Sequence, residues 1–198
     1  MPGSISQADR SARTRNVLLE VAARGLSRNG YQALVLGHVA SEAGYSRGAV
    51  YHHFADKEQL ALAVVHQAAE TWHDEVGHFF VKELPPVEAL LAVARGIALY
   101  SRRDVASVVT TLRAEFEDRS HPIGEAVHQI VSHVVEDCAR LITAGRRTGA
   151  LPPGPPAAVL ALAFTGALEG LVNFLGPAPH DVALAEQTAR SILGLTLP

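Results

Sequence analysis

The chain has 198 residues, 48% of them hydrophobic and 19% charged, which is typical of a globular protein with a sizeable apolar core and excludes a disordered tail. Its single cysteine, Cys138, excludes a fold built on intramolecular disulfides. The net charge of −3 conceals a split, because residues 10–53 carry a net charge of +4 and residues 54–198 a net charge of −6. A basic N-terminal part suits a protein that approaches a polyanion, although chance asymmetry is the alternative.

Hydrophobic spacing predicts helices throughout and no strands. The four N-terminal helices are expected over residues 11–29, 36–43, 46–53 and 57–81. Gly30 ends the first helix, and Gly44 separates the two short ones, since glycine accepts the left-handed conformation that such turns need. Ser46 and Asp56 stand where a side chain caps the helix that follows.

Five further helices are expected over residues 86–102, 105–117, 122–147, 157–175 and 181–195. Pro86 suits a first helical turn, and Asp104 stands where it could cap the sixth helix. The eighth helix is apolar nearly all round, but it contains Glu169 and Asn173 and is shorter than the roughly 20 residues of a membrane span. We therefore expect a cytoplasmic protein that does not enter a membrane.

The segment of residues 30–58, GYQALVLGHVASEAGYSRGAVYHHFADKE, is the most informative. Two short helices joined by a glycine turn predict a helix-turn-helix, with Val39 and Val50 facing its core. The second helix carries little bulk at Gly48 and Ala49, so its backbone could lie deep in a DNA major groove. Spacing alone leaves an ordinary pair of packed helices as the alternative.

Four strings occur in order along this part of the chain: GY at 30–31, VASEAGYS at 39–46, YHHF at 51–54 and DKEQL at 56–60. In these strings residues 10–60 resemble the DNA-binding head of the tetracycline-repressor (TetR) family of bacterial regulators. The resemblance implies an all-α protomer of about nine helices that works as a homodimer. It also implies a DNA-binding domain over residues 1–55 and a ligand-binding and dimerisation domain over residues 56–198.

The resemblance implies DNA-binding roles for ten residues. They are Arg13, Arg15, Ser46, Arg47, Gly48, Ala49, Tyr51, His52, His53 and Lys57. Arg47 is the side chain best suited to a bidentate contact with guanine, and His52 is a second candidate for a base edge. Tyr51 and His53 match phosphate-contacting positions, and Lys57 is expected to hold a phosphate at the start of the fourth helix.

Some positions have an alternative role or depart from the family pattern. Arg13 and Arg15 are expected to reach the DNA backbone from an N-terminal arm, but Arg13 is alternatively only solvated, and Tyr51 is alternatively a core residue. The family usually caps the second helix with threonine or serine, where this chain has Val35. It often has a polar or basic residue where this chain has Gly37. We expect two phosphate contacts to be missing there.

The eighth and ninth helices offer more apolar surface than one protomer of this size covers. A symmetric four-helix interface between two copies would bury it, and burial within a single protomer is the alternative. The expected interface residues are Phe164, Gly166, Gly170, Asn173, Ala185, Ala189 and Ile192. Two heads held about 34–36 Å apart could then read a palindromic operator.

By the same resemblance, helices four to seven are expected to enclose a site for a small apolar or amphipathic ligand. The candidate residues are Trp72, Phe79, Tyr100, Leu112, Phe116, His133 and Phe164. Ordinary core packing is the alternative for each of them. Glu169 and Asn173 are either interface hydrogen-bonding groups or ligand contacts.

Taken together, the pattern favours a ligand-responsive repressor that binds double-stranded DNA and is released by a small molecule. A helical enzyme is one rival, but neither an HExxH pair nor a phosphate-binding loop supports it. A helical adaptor that binds only protein is another. We expect no catalytic residue and no cofactor. We also expect no metal site, because neither His66 with His73 nor His128 with His133 has the i,i+4 spacing of a two-histidine site on a helix.

Overall fold

The computed structural model of the protein describes residues 6–176 and 178–195. Over these residues the chain forms nine α-helices, one short 3-10 helix and no strand, which confirms the expected all-α fold. The α-helices are α1 (Gln7–Asn29), α2 (Leu36–Glu42), α3 (Arg47–His53), α4 (Lys57–Glu75), α5 (Pro86–Tyr100), α6 (Ala106–Glu115), α7 (Pro122–Arg147), α8 (Ala157–Leu175) and α9 (Asp181–Ile192). The ends of the two expected domains, residues 1–5 and 196–198, lie outside the described residues.

The first helix begins earlier than its apolar spacing predicts. The Ser6 hydroxyl accepts a hydrogen bond from the Asp9 N–H at 3.1 Å, and the Asp9 carboxylate accepts one from the Ser6 N–H at 3.2 Å. This reciprocal pair is a capping box, which satisfies N–H groups at the helix start. The added turn is polar and exposed, so no apolar periodicity marks it. Arg13 and Arg15 lie on α1, as the expected range of 11–29 already implied, and their contact with the DNA backbone stays a prediction.

The fourth helix ends at Glu75, well before the predicted end at residue 81. Val76 is fully buried, and a Cβ added at Gly96 of α5 would lie 3.3 Å from the Val76 methyl groups. The missing side chain at Gly96 thus makes room for Val76, and the chain leaves the α-helix there. The short 3-10 helix Gly77–Phe80 follows, and it carries Phe79.

Two further helix ends differ from the prediction. Asp104 does not cap α6, because the N-cap residue is Val105, which makes no side-chain hydrogen bond. The Asp104 carbonyl instead accepts a hydrogen bond from the Ser27 hydroxyl at 3.1 Å. The ninth helix ends at Ile192, because Gly194 adopts a positive φ of 69° that terminates the helix.

The chain packs as two compact units. The first runs from the N-terminal residues to Ala68 and takes in Asp104–His128, and the second comprises Ala69–Arg103 and the chain from Gln129 onward. Within the first unit α1, α2 and α3 pack on one another and α6 packs on α1. Within the second, α9 packs on α5 and α8. The functional boundary at residue 55 stays a prediction.

Few residues of the eighth helix are buried in the protomer. By length and composition it could cross a membrane, with a mean hydropathy of 1.8, and only 17% of that window is buried in the protomer. The expectation that this helix is too short and too polar to cross a membrane was therefore wrong. The core helix of a soluble protein also meets these criteria of length and composition. Its buried residues, at three- and four-residue spacing, form a single stripe: Ala161, Phe164, Leu168 and Val172.

Candidate nucleic-acid interface

A glycine turn sets α3 against α2. Gly44 has a φ of 74°, the left-handed region that favours glycine. Its N–H donates to the Ser41 carbonyl at 3.2 Å, and the Tyr45 N–H donates to the Ala40 carbonyl at 2.9 Å. This pair of bonds is a Schellman motif, which ends α2 and directs the chain into α3. The predicted helix-turn-helix is therefore present.

Buried apolar side chains hold the three N-terminal helices together. Val50 on α3 is 0% exposed and Phe54 after α3 is 4% exposed, while Val39 and Ala40 on α2 are equally well buried. Burying one face of α3 in this way stabilises the packing of all three helices. It also fixes which side chains of α3 point away from the protein.

The outward face of α3 carries most of the predicted DNA-binding residues. Ser46, Arg47, Gly48, Tyr51 and His52 are exposed, and Ala49 and His53 are half-buried. Because Tyr51 is 51% exposed, the alternative that it is a core residue was wrong. A Cβ added at Gly37 would lie 3.6 Å from the Arg47 Nε, so the small residue at position 37 leaves space beside the guanidinium.

The two helix caps behave as the sequence suggests. The Ser46 hydroxyl accepts a hydrogen bond from the Ala49 N–H at 3.3 Å, which caps α3 and leaves the hydroxyl proton free to donate to an anion. Val35, at the equivalent place before α2, makes no side-chain capping bond. The start of α2 therefore lacks the hydroxyl that the family usually supplies there.

His53 is not a permanent cation. Burial, the neighbouring His52 and the Arg15 guanidinium, in that order of importance, lower the pKa of His53 below its ordinary value. The imidazole is therefore neutral at neutral pH and would meet a phosphate as a neutral hydrogen-bond donor. The Arg15 guanidinium lies 5.5 Å from the centre of the Phe54 ring, a cation–π contact beside this histidine, and Arg13 is exposed two residues earlier on α1.

The ammonium group of Lys57 is held in place at the start of α4. Its Nζ donates to the Gln32 carbonyl at 3.1 Å and lies 4.3 Å from the centre of the Tyr31 ring. The Asp56 carboxylate accepts a hydrogen bond from the Gln59 N–H at 2.8 Å, so part of the first turn of α4 is already satisfied. An anion at this point would therefore rely on the remaining Lys57 donors more than on the helix N-terminus.

The turn before α3 also satisfies a pattern that sequence reasoning overlooked. Residues 44–48, GYSRG, fit the Gly-x-Ser-x-Gly pattern of the nucleophile elbow in hydrolases. That elbow is a turn between a strand and a helix, whereas here the helix α2 precedes the turn. Ser46 serves as the cap of α3 in this setting, so the pattern does not indicate a catalytic serine.

An open groove of about 680 Å³ lies in the second unit, between the 3-10 helix, α5 and α9. Its apolar wall contains Phe79, Ala92, Leu99 and Val182. Three arginines stand along it, and each forms an ion pair: Arg95 with Glu186 at 2.7 Å, Arg102 with Asp181 at 2.8 Å and Arg103 with Glu75 at 2.8 Å. The groove thus combines an apolar wall with a row of guanidinium groups.

Of the predicted ligand-binding residues in the second unit, Phe79 lines this groove. Trp72 and Tyr100 pack edge to face with ring centres 5.3 Å apart, and Tyr100 is buried. Phe164 is fully buried, while His133 is exposed on α7 and does not line the groove. Helical spacing identifies the face on which a residue lies but not whether that face borders a cavity.

The other two predicted ligand-binding residues belong to the first unit. Leu112 is fully buried there on α6, the helix that packs on α1. Phe116 packs against Tyr31 with ring centres 5.1 Å apart. Both side chains therefore contribute to the packing of the unit that carries the helix-turn-helix.

Comparison with known proteins identifies the family. Residues 18–64, which include the whole helix-turn-helix, match the family model described as bacterial regulatory proteins, tetR family. The transcriptional repressor AcnR of Corynebacterium glutamicum is 25% identical over 194 residues, which cover 92% of this chain and 93% of that repressor. The transcriptional regulator TtgR of Pseudomonas putida is 29% identical over 81% of this chain and 79% of its own length.

The helix-turn-helix domain of this chain belongs to the TetR family. The chain is a DNA-binding transcriptional regulator of the helix-turn-helix type. The crystal structure of AibR in complex with isovaleryl coenzyme A and operator DNA has the same fold, with a TM-score of 0.79 and 20% sequence identity over 92% of this chain and 100% of that one.

The predicted interface residues of α8 and α9 fall into two groups. Three are fully buried within the protomer, so the alternative of burial in one copy describes them: Phe164, Ala185 and Ala189. Gly166, Gly170 and Asn173 are exposed, and Ile192 is half-buried. A Cβ added at Gly166 or Gly170 would meet nothing within 4 Å, so neither glycine is needed for packing inside the protomer.

The side chains that could ligate a metal and the thiol of Cys138 do not indicate a further chemical role. Within the described ranges, no cluster of three or more histidine, cysteine, aspartate or glutamate residues could hold a metal ion. Burial and, to a smaller extent, the Asp137 carboxylate raise the pKa of the Cys138 thiol to about 12. Cys138 is thus protonated at neutral pH and packs as a small apolar residue.

Proposed function

We propose that this TetR-family regulator is a cytoplasmic, homodimeric repressor that binds a palindromic operator and releases it when a small amphipathic ligand binds. The exposed face of α3, projecting from the basic part of the chain, is the observation that carries the proposal. It offers no reacting group with a partner suited to catalysis, so we propose a regulator without enzymatic activity.

The proposed DNA contacts divide into two classes. Arg47 and His52 read base edges in the major groove, and Gly48 and Ala49 allow the backbone to come close. Phosphates are contacted by Ser46, Tyr51, His53 and Lys57, and more weakly by Arg13 and Arg15. The phosphate contacts set the orientation of α3, and the base contacts set the operator sequence.

The proposed homodimer interface is the exposed side of α8 and the adjoining part of α9. Val159, Leu162 and Phe174 on α8 are 53%, 59% and 89% exposed. Gly166 and Gly170 lie between them and would let a partner helix approach closely. An apolar surface of this extent on a regulator that reads a palindrome is best covered by a second copy around a two-fold axis.

The proposed ligand is an amphipathic anion bound in the groove of the second unit. Its apolar part would lie against Phe79 and Leu99, and its acidic group would compete for an arginine such as Arg103. Arg103 holds Glu75, the last residue of α4, and Lys57 is the first residue of the same helix. Ligand binding would therefore act on the helix that presents Lys57 to DNA. AibR was solved with isovaleryl coenzyme A, which is such an anion.

The test is a selection of the full-length protein against a pool of random DNA duplexes. We expect an inverted repeat to be enriched, with an affinity that falls steeply between low and physiological salt. Adding decanoate or isovaleryl coenzyme A should release the enriched duplex. If no duplex is enriched, the protein is an adaptor or an enzyme; if duplexes are enriched but no amphipathic anion releases them, the ligand class is wrong.

A further inference from the structure

A carboxylate in the first unit reaches the turn that follows α1. Both carboxylate oxygens of Glu115, the last residue of α6, accept hydrogen bonds from the Tyr31 N–H, at 3.1 Å and 2.9 Å. Gly30 has a φ of 73°, and a Cβ there would lie 1.5 Å from the Glu115 Oε1. The absence of a side chain at Gly30 is therefore what admits the carboxylate.

The ring of the same tyrosine extends this contact to the DNA-binding groups. The Lys57 ammonium lies over the Tyr31 ring and donates to the Gln32 carbonyl, three residues before α2 is capped. Phe116 and His121 also pack edge-on against Tyr31, with ring centres 5.1 Å and 6.1 Å away. Glu115 thus fixes the backbone of the residue whose ring supports Lys57.

We propose that Glu115 is a positioning residue for operator binding, which acts through Tyr31 to hold the Lys57 ammonium where it meets a phosphate. This inference rests on the proposed function in one respect, the phosphate contact of Lys57. A long lysine side chain loses much rotational freedom when it binds, and fixing it in advance reduces that loss. Glu115 itself is negatively charged and exposed, so it cannot favour DNA by a direct contact.

The sign of the effect distinguishes positioning from simple electrostatics. Removing an exposed negative charge from a DNA-binding unit strengthens DNA binding if the charge acts only through space. Removing a group that positions Lys57 weakens DNA binding instead. Glu117 is a matched control, since it is an exposed glutamate two residues further along the chain.

The experiment measures the affinity of the full-length protein for its selected duplex by fluorescence anisotropy. We expect Glu115→Ala to weaken binding about tenfold, since a charge-assisted hydrogen bond is lost, and Glu117→Ala to leave it unchanged or slightly tighter. Glu115→Gln keeps the shape and one acceptor oxygen, so a smaller loss is expected. Tighter binding by Glu115→Gln, with an unchanged unfolding temperature, would overturn the proposal.

A double-mutant cycle with Lys57→Ala tests the route of the effect. If Glu115 acts through Lys57, Glu115→Ala should cause little further loss in the Lys57→Ala protein. An undiminished tenfold loss in that background would show that Glu115 supports the fold in another way, and the proposal would fail. Should the wild-type protein select no duplex at all, the proposed function fails, which is a different result.

Discussion

At the scale of single residues, we expect Arg47 on α3 to recognise bases and Lys57 at the start of α4 to bind a phosphate. Arg47 is exposed on α3, with free space at Gly37 beside it. Lys57 is instead fixed by the Gln32 carbonyl and the Tyr31 ring, outside α3. The planar donor fork of an exposed guanidinium suits a base edge, while a fixed ammonium suits a phosphate.

This division predicts different effects of two substitutions. Arg47→Ala should weaken binding to the selected duplex by roughly ten- to a hundredfold and change binding to random duplexes little. Lys57→Ala should weaken both kinds of duplex alike and reduce the slope of log affinity against log salt by about one. Anisotropy titrations at several salt concentrations measure both, with Lys82→Ala as the control for loss of a lysine charge in the second unit. Identical behaviour of the two variants would contradict the assigned roles.

Some residue-level features could be predicted from the sequence and others could not. The caps at Ser6 and Ser46 depend on residues within four positions, yet only the second was predicted, because no apolar period marks the first. The contact of Glu115 with Tyr31 joins residues far apart in the chain. No local pattern signals it.

At the scale of elements, the turn between α2 and α3 sets the orientation of the exposed face of α3. Gly44 and Gly149 both have a φ of 74°, and a Cβ added at either would meet nothing within 4 Å. Alanine at either position would therefore suffer the same backbone strain without a steric clash. Only Gly44 lies in the helix-turn-helix, so Gly149 is its matched control.

We predict that Gly44→Ala and Gly149→Ala each lower the free energy of unfolding by about 1 kcal/mol, because an L-residue resists the left-handed conformation. Only Gly44→Ala should also weaken operator binding, since relief of the strain rotates α3. Urea denaturation and anisotropy on the same preparations measure the two effects. Equal loss of operator affinity in both variants would mean that general destabilisation, and not the aim of α3, is responsible.

The end of α4 shows that apolar periodicity does not predict where a helix stops. The apolar pattern continues past Glu75, so the sequence predicted one long α4. The helix ends there because Val76 packs into the space left by Gly96 on α5. That reason lies in another helix, and only the assembled fold supplies it.

At the scale of the whole molecule, the exposed apolar side of α8 predicts the oligomeric state. Gly166→Leu and Gly170→Leu place large side chains where the protomer has open space, and they replace glycine by a better helix former. Each should leave the protomer as stable as before or slightly more stable, but should shift the dimer toward monomer. Sedimentation velocity measures the shift, and Thr143→Leu, at an exposed position on α7, is the control.

Loss of the dimer should also weaken binding to a full palindrome far more than binding to a half-site, because two heads are then no longer linked. A Gly170→Leu protein that remains fully dimeric would place the interface elsewhere. A substitution of Phe164 cannot test the dimer interface. This side chain is fully buried, so Phe164→Ala would open a cavity in the protomer core.

The sequence by itself determined the helical fold, the helix-turn-helix and the face of α3 that points outward, because short-range periodicity, caps and a turn glycine act over a few residues. The tertiary structure alone decided where α4 ends, which α8 and α9 residues are buried, and that Glu115 reaches the turn at Gly30. It also decided that the arginines of α5 and of the segment after it stand along an apolar groove. These features depend on contacts between distant parts of the chain, and their cause is the space and the hydrogen-bonding groups that one element leaves for another.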